Sequence, residues 1–284
     1  MASPAESAPP NRSSAEHGDG SVRLQFIGGG RMGEALVAGL INSGAEPAEA
    51  IAVVEALPAR RDELGRTYPG LRVREVPCGA ATVVAVKPQD VADAVSGAVA
   101  AGATRVLSVA AGVTLSSLEA AAGTGVAVVR AMPNTPALVG AGVAAIAAGV
   151  EADEATMAWA EAVLGAVGDV VRVGEPQLDA VTGLSGSGPA YVFLVAEALI
   201  EAGVAEGLTR PVAEQLATGT LRGAGLMLSE SGDSAAELRA AVTSPGGTTA
   251  AGLAALERHA VRAAIADAVA AATARSRELG TVRR

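Results

Sequence analysis

Short apolar runs alternate with segments of helical period along the first half of the chain. Strands are predicted for Val22–Ile27, Ile51–Val54, Thr82–Val86, Arg105–Val109, Val126–Arg130 and Gly142–Ala147, and helices for Glu34–Ser43, Ala59–Arg66, Gln89–Val99 and Leu115–Ala122. Strands and helices that alternate at this spacing predict an α/β fold with a doubly wound, parallel sheet.

The strand pattern stops after about Gly174, and long helical patterns follow. They cover Asp179–Ala202, Pro211–Ser229 and Thr249–Glu278, and Ser234–Glu237 fits a capping box before a short helix. The apolar stripes are too wide for a small bundle to bury alone, so we expect a second copy of the chain to cover them. The predicted organisation is a disordered tail (1–20), a sheet domain (21–174) and a C-terminal all-α dimerisation domain (175–284).

Composition narrows the class of protein. Half of the 284 residues are hydrophobic but only 2% are aromatic, so the core must consist of small aliphatic side chains. The net charge of −9 argues against nucleic acid or an anionic membrane as the main partner. The longest uncharged run, Ala131–Val150, contains prolines and glycines that do not suit a membrane span. The lone Cys78 and a tail without an apolar segment predict a cytoplasmic protein with no signal peptide.

A glycine-rich turn follows the first predicted strand and opens the first predicted helix. Its residues Gly28, Gly30 and Gly33 satisfy the pattern G-x-G-x-x-G. In this strand–turn–helix context the pattern favours dinucleotide binding over an ordinary tight turn, although glycine is common in the chain. The sheet domain is therefore predicted to be a Rossmann-type, dinucleotide-binding domain.

The side chains after the second strand bear on which dinucleotide binds. Glu55 lies 22 residues beyond Gly33, where an acidic residue takes the ribose hydroxyls and favours NAD. Arg60 and Arg61 are close enough to bind a 2′-phosphate, which would favour NADP, but a solvated helix start explains them equally well. The residues alone leave the cofactor preference open.

Three further segments stand at predicted strand ends, where ligands bind in open α/β sheets. Lys87, the one lysine beside twenty arginines, ends the third strand, and Ser108–Val113 and Met132–Pro136 occupy equivalent positions. A cofactor contact is favoured for Lys87 over a random surface charge. Taken alone, each of the other two segments is typical of an ordinary loop.

A second glycine-containing turn, Ser244–Thr249, leads into the last helical pattern. Free N–H groups and hydroxyls in a first helical turn suit an anion, and a small carboxylate fits here. The segment Gly183–Tyr191 is rich in small residues, which a close helix–helix contact and a substrate contact explain equally well. We find no carboxylate pair, nucleophile triad or metal-ligand spacing in the sequence.

Together these motifs resemble the pyrroline-5-carboxylate reductase family. The resemblance extends from about Val22 to Leu279, and it is carried by the segments 26–33, 85–90, 108–113, 132–136, 180–191, 242–249 and 275–279. The blocks 180–191 and 242–249 are highly specific in combination, whereas the first glycine turn is not.

The resemblance implies an NADPH-preferring reductase whose C-terminal domains interlock in a homodimer, with dimers assembled into a decamer. It implies that the Ser244–Thr249 turn (Ser244, Gly246, Gly247, Thr248, Thr249) holds the substrate carboxylate, that the catalytic Thr249 hydroxyl binds the ring nitrogen, and that Glu175 is a substrate-side acid. The expected cofactor-binding residues are Gly28, Gly30, Arg31, Met32, Gly33, Glu55, Ala85, Val86, Lys87, Pro88, Ala110, Ala111, Gly112 and Asn134. Glu55 departs from the neutral pocket of many members, so NAD(H) is expected as a second cofactor.

The expected reaction is hydride transfer from NAD(P)H to the C=N carbon of 1-pyrroline-5-carboxylate, which gives L-proline. A protonated imine needs little beyond positioning and polarisation, which agrees with the lack of a histidine or carboxylate pair. Two alternatives remain. A β-hydroxyacid dehydrogenase of similar layout would want a catalytic lysine from the helical domain, and a non-catalytic nucleotide sensor would not need the second anion turn.

Overall fold

The sheet is built from the first part of the chain and contains most of the buried hydrophobic core. The computed structural model describes residues 22–281, so the tail predicted for residues 1–20 lies outside the described residues. Within that range the sheet has the strands β1 (Leu24–Ile27), β2 (Ile51–Val54), β3 (Arg72–Arg74), β4 (Ala81–Val84), β5 (Arg105–Ser108), β6 (Ala127–Met132), β7 (Gly142–Ala148) and β8 (Gly168–Arg172). Their spatial order is β3-β2-β1-β4-β5-β6-β7-β8.

The order of the first six strands indicates where a binding crevice lies. The sequence 3-2-1-4-5-6 is the doubly wound order of dinucleotide-binding sheets, and the direction of strand addition reverses between β1 and β4. Ligands bind outside the carboxyl ends of the strands at such a point. All neighbouring strands are parallel except β6 and β7.

Helices cover both faces of this sheet, so its central strands are buried and read as continuous apolar runs. All four residues of β1 are buried, as are all four of β2. The covering helices are α1 (Arg31–Asn42), α2 (Pro58–Thr67), α3 (Val91–Ala100), α4 (Leu115–Ala122) and α5 (Glu154–Gly165). Small aliphatic side chains make up most of the core, as the composition predicts.

The rest of the described chain is helical. It contains α6 (Leu178–Val181), a π-helical turn (Thr182–Gly186), α7 (Gly188–Ala205), α8 (Arg210–Glu230), α9 (Ala235–Ala241), α10 (Thr248–Arg258) and α11 (Val261–Thr281). Leu178 on α6 is fully buried in the sheet's core cluster, which ties this part to the sheet. The capping box predicted at Ser234 and Glu237 is present at the start of α9.

The long helices leave much apolar surface uncovered. No residue of α7 is buried, and Phe193 and Leu194 are more than 60% exposed. The stretch Glu175–Ala205 is one segment of the described residues that is long and apolar enough to cross a membrane by length and composition alone. An exposed apolar face of this size in a single chain marks an interaction surface.

Two sequence predictions about elements are wrong in detail, and three elements were missed. β7 runs antiparallel to β6, because the short connection of residues 133–141 cannot make a parallel crossover. The helix predicted over Thr249–Glu278 is broken between α10 and α11, where Ala260 has a φ of +53°. The strands β3 and β8 and the helix α5 were not predicted at all.

Candidate active site

The glycine-rich turn lies between β1 and α1, at the crevice where the strand order reverses. Gly28 has a φ of +105°, and a Cβ there would lie 2.7 Å from the carbonyl oxygen of Ala85. A Cβ on Gly33 would collide with the Gly28 carbonyl, whereas nothing lies within 4 Å of the Gly30 position. Gly30 is the N-cap of α1 and offers no capping side chain. The turn thus combines close packing behind it with open backbone N–H groups in front.

An open cleft of about 700 Å³ lies in front of this turn. Its lining includes seven of the residues predicted to bind a cofactor, namely Gly28, Gly30, Arg31, Glu55, Ala85, Val86 and Lys87. The lining also includes residues that the sequence reasoning missed: Ile27, Val54, Ala56, Leu57, Glu75 and Asp90. Ile27 and Val54 are the last residues of β1 and β2, so the strand-end rule could have identified them.

The other predicted cofactor residues lie outside the lining of this cleft. Met32 packs against the core, and Ala110 is buried in the same core cluster as Leu178. Pro88 and Gly112 line a separate cavity of about 320 Å³, together with Gly280 at the end of α11. Gly33, Ala111 and Asn134 line neither cavity.

Glu55 folds back onto the glycine turn. Its carboxylate accepts hydrogen bonds from the backbone N–H groups of Gly29 and Leu57, each at 3.0 Å. The carboxylate therefore stands at the cleft edge beside the turn, where an acidic residue meets a ribose in this fold.

Both arginines near Glu55 are engaged by protein groups. Arg60 donates to the carbonyl of Gly29 at 2.8 Å and pairs with Glu63 and Glu34, whose hydrogen bonds raise the pKa of its guanidinium. Arg61 donates to two backbone carbonyls and pairs with Glu75. Neither arginine lines the cleft.

Arg31 and Lys87 are the cations that line the cleft, and three carboxylates (Glu55, Glu75 and Asp90) line it too. Within the described residues, no hydrogen bond or ion pair engages the side chain of Arg31 or Lys87. Lys87 lies three residues after the end of β4 and directly precedes a short helical turn, Pro88–Asp90. Both cations are thus available to an anionic ligand.

The Ser244–Thr249 turn is exposed in the single chain. Gly247 donates to the carbonyl of Ser244 at 3.0 Å, and Gly246 has a φ of +70°. The N-cap of α10 is Gly247 and no side chain caps it, so Thr249 is not the capping residue of this helix. Among the described residues, no hydrogen bond joins this turn to the cleft, and none engages the Thr249 hydroxyl.

Glu175 lies at the junction between the sheet and the helical part. Its carboxylate accepts from the backbone N–H of Leu115 at 2.6 Å and from the guanidinium of Arg130 at 2.8 Å. The Arg130 side chain is 10% exposed and the Glu175 side chain 31%, so this is a partly buried ion pair at the N-terminus of α4. No hydrogen bond in the described residues connects Glu175 to the Ser244–Thr249 turn, and its role as a substrate-side acid stays a prediction.

The small residues of Gly183–Tyr191 are used in packing. A Cβ on Gly183 would collide with the Thr273 hydroxyl of α11, and one on Gly186 would lie 2.5 Å from the Met132 side chain. Gly183 is therefore needed for its close contact with α11, whereas the Met132 methyl group on β6 could move away from a Cβ at position 186. The interpretation of this segment as a helix contact has direct support at Gly183.

Comparison with known proteins shows which family the chain belongs to. A family model described as pyrroline-5-carboxylate reductase dimerisation matches residues 175–279, and one described as coenzyme F420-dependent NADP oxidoreductase matches residues 23–112. The chain is 48% identical to a pyrroline-5-carboxylate reductase from Synechocystis, over 92% of this chain and 99% of the relative. The chain belongs to the pyrroline-5-carboxylate reductase family. A reductase of this name from Mycobacterium tuberculosis is 44% identical over 92% of this chain and 97% of its own.

Solved structures of the family share the fold. The pyrroline-5-carboxylate reductase from Coxiella burnetii superposes with a TM-score of 0.86 at 36% identity, covering 91% of this chain and 98% of that one. Plasmodium falciparum pyrroline carboxylate reductase with NADP bound gives 0.77 at 28% identity, with the same coverage. These likenesses confirm the predicted family and fold class: a Rossmann-type sheet followed by a helical dimerisation region. The exposed apolar helices α7 and α8 belong to that region, so the chain is a reductase subunit that oligomerises.

Proposed function

We propose that this chain catalyses the NAD(P)H-dependent reduction of 1-pyrroline-5-carboxylate to L-proline, the last step of proline synthesis. The observation that carries the proposal is the presence in one chain of a dinucleotide-type cleft and the family's dimerisation region over residues 175–279. The balance is simple: a hydride adds to the C=N carbon, a proton ends on the nitrogen, and the nicotinamide becomes oxidised.

The cleft fits a dinucleotide. The close packing behind Gly28 and the open approach at Gly30 suit a pyrophosphate on the N-terminus of α1. The cations Arg31 and Lys87, which have no side-chain partner between residues 22 and 281, supply positive charge for phosphates. When bound, the reduced nicotinamide supplies the hydride; the chain's own residues bind and orient the reactants and keep them together.

NADP(H) is the proposed main cofactor, and NAD(H) the second. The bound NADP of the Plasmodium falciparum relative supports the first. The Glu55 carboxylate at the cleft edge supports the second, because it repels a 2′-phosphate and accepts from ribose hydroxyls. Discrimination between NADPH and NADH is therefore modest.

The Ser244–Thr249 turn is the proposed substrate site. The backbone N–H groups of Gly246 and Thr248 would hold the substrate carboxylate at the uncapped start of α10, whereas the N–H of Gly247 already donates to the carbonyl of Ser244. The Thr249 hydroxyl would then donate to the imine nitrogen, or share its proton. Ser244 and Glu175 complete the proposed substrate set.

We further propose a dinucleotide-binding domain over residues 21–174, a substrate and dimerisation domain over 175–284, and a cytoplasmic homodimer that assembles into a decamer. The uncovered apolar surface of α7 and α8 supports the dimer.

Direct assay of the full-length protein tests the reaction. We expect NADPH to be oxidised only when pyrroline-5-carboxylate is present, with one L-proline formed for each NADPH. The same preparation should not reduce NADP when given small β-hydroxyacids. Binding of NADPH without turnover would instead favour the nucleotide sensor, and turnover with β-hydroxyacids would favour the dehydrogenase.

A further inference from the structure

The π-helical turn Thr182–Gly186 leaves two backbone carbonyls without their usual helical donors. The N–H of Ser187 donates to Thr182 at 2.8 Å, one residue further back than in an α-helix, so it is not available to Gly183. The residue four positions after Ser185 is Pro189, which has no N–H, and Ala190 donates to Ser187 instead.

Side chains satisfy both carbonyls. The Tyr191 hydroxyl donates to the carbonyl of Gly183 at 3.1 Å. The Asn134 amide nitrogen donates to the carbonyl of Ser185 at 3.2 Å, while its amide oxygen accepts from the N–H of Val143 at 2.9 Å. Asn134 thus replaces the donor that Pro189 lacks, and it does so from the other side of the junction between the sheet and the helices.

The position of Asn134 makes this bond consequential. It is 8% exposed and follows β6 by two residues, and its second partner, Val143, is the second residue of β7. The turn it holds leads directly into α7, the 18-residue helix that starts the dimerisation region's long helices. This amide therefore links the turn before α7 directly to the strands β6 and β7.

We propose that Asn134 is a positioning residue that does not bind the cofactor. It holds the helical domain in place against the sheet, and the position of that domain determines the distance between cofactor and substrate. The kinetic part of this inference rests on the proposed reductase function. The structural part, an interaction between Asn134 and the turn before Pro189, does not.

The substitution Asn134→Asp isolates the bond to Ser185. The new carboxyl can still accept from Val143, but in its ionised form it turns an oxygen towards the Ser185 carbonyl and repels it. Protonation restores a donor at that place. Burial and the facing carbonyl raise the pKa of this carboxyl above the usual value of about 3.9, so donor and stability are present at low pH and are lost as pH rises through the raised pKa.

We therefore expect kcat of Asn134→Asp at neutral pH to fall by about 10- to 100-fold, as for a small misplacement of reactants. The ratio of variant to wild-type kcat, and the variant's unfolding midpoint relative to wild type, should rise as pH falls. The Kd for NADPH, from fluorescence titration, should change by less than about twofold, whereas loss of a direct contact worth 1.4 kcal/mol would raise it about tenfold. Asn42→Asp, at the exposed end of α1, is the matched control for activity, and its ratio of variant to wild-type kcat should not vary with pH.

A double-mutant cycle tests the pairing through Pro189. Pro189→Ala adds a backbone N–H four residues after Ser185. When it is introduced into the Asn134→Ala variant, it should therefore raise kcat at least about threefold and restore part of the lost unfolding midpoint. Additive effects in both measurements would overturn the proposal, as would a tenfold rise in the Kd for NADPH with kcat intact. Wild-type protein without turnover would refute the reductase function instead, and the unfolding cycle would still decide the pairing.

Discussion

At the scale of single residues, the hydroxyl of Thr249 is the group on which the proposed chemistry depends. Thr249→Ala should lower kcat by about 10²-fold, as when one hydrogen-bond donor to a developing charge is lost. The unfolding midpoint should stay the same or rise slightly, because the hydroxyl has no partner among the described residues and alanine favours the helix. Thr249→Ser should keep most of the activity. Normal turnover of Thr249→Ala in steady-state assays would remove the catalytic role.

Glu55 is the residue that we expect to limit the preference for NADPH. Glu55→Ser removes the carboxylate but leaves a hydroxyl that can accept from Leu57, so the ratio of kcat/KM for NADPH over NADH should rise, by about tenfold for a gain of 1.4 kcal/mol. Asp62→Ser, an exposed acidic position on α2 outside the cleft, serves as the control for net charge. A shift towards NADH would show that Glu55 does not face the ribose.

Local sequence patterns predicted the site residues at strand ends but not the hydrogen bonds between distant elements. The glycine turn and Lys87 were identified because strand ends and G-x-G-x-x-G are local patterns. The partners of Glu175 and Asn134 were not, since Leu115 and Ser185 are 60 and 51 positions away. Such bonds depend on how two domains meet, which no local pattern encodes.

At the scale of elements, the break between α10 and α11 carries a small strain. Ala260 is the one non-glycine residue with positive φ in the described chain, a conformation that costs an L-residue about 1–2 kcal/mol. Ala260→Gly should raise the free energy of unfolding by up to about 1 kcal/mol, since glycine's extra freedom in the unfolded chain offsets part of the relief. Ala254→Gly, inside α10, should lower it by about 1 kcal/mol. Denaturant titrations at one protein concentration compare the two, and equal losses would contradict the strain.

The two strands that the sequence failed to predict share a physical cause. β3 reads Arg-Val-Arg and has no fully buried residue, and β8 is an edge strand with three exposed positions. Both are strands because a neighbour supplies their hydrogen bonds, not because their own side chains alternate. By contrast, β1 and β2 are buried along their whole length and were predicted from their apolar runs.

At the scale of the whole molecule, the junction between the domains determines where the chain can be cut. A chain ending at Gly174 should be monomeric and bind nucleotide weakly, but it lacks both Glu175 and the fully buried Leu178. A chain ending at Val181 retains both, so we expect it to be more stable by at least about 2 kcal/mol, the lower end for losing a buried leucine. Thermal unfolding of the two chains gives the comparison; equal midpoints would mean that α6 contributes nothing to the sheet's core.

The full-length protein should be at least dimeric at micromolar concentration, and its unfolding midpoint should rise with concentration. Multi-angle light scattering measures the first and calorimetry the second. A stable full-length monomer would contradict the role assigned to the apolar faces of α7 and α8.

Those uncovered faces also bear on how the protein is made. Meeting a second copy is a bimolecular event, so the time that a newly synthesised chain spends alone lengthens in inverse proportion to the number of copies present. During that time Phe193, Leu194 and their neighbours are open to chaperones, proteases and other unfolded chains. Slow synthesis should therefore waste a larger fraction of chains than rapid synthesis, and a second gene copy should raise the yield of assembled enzyme more than twofold.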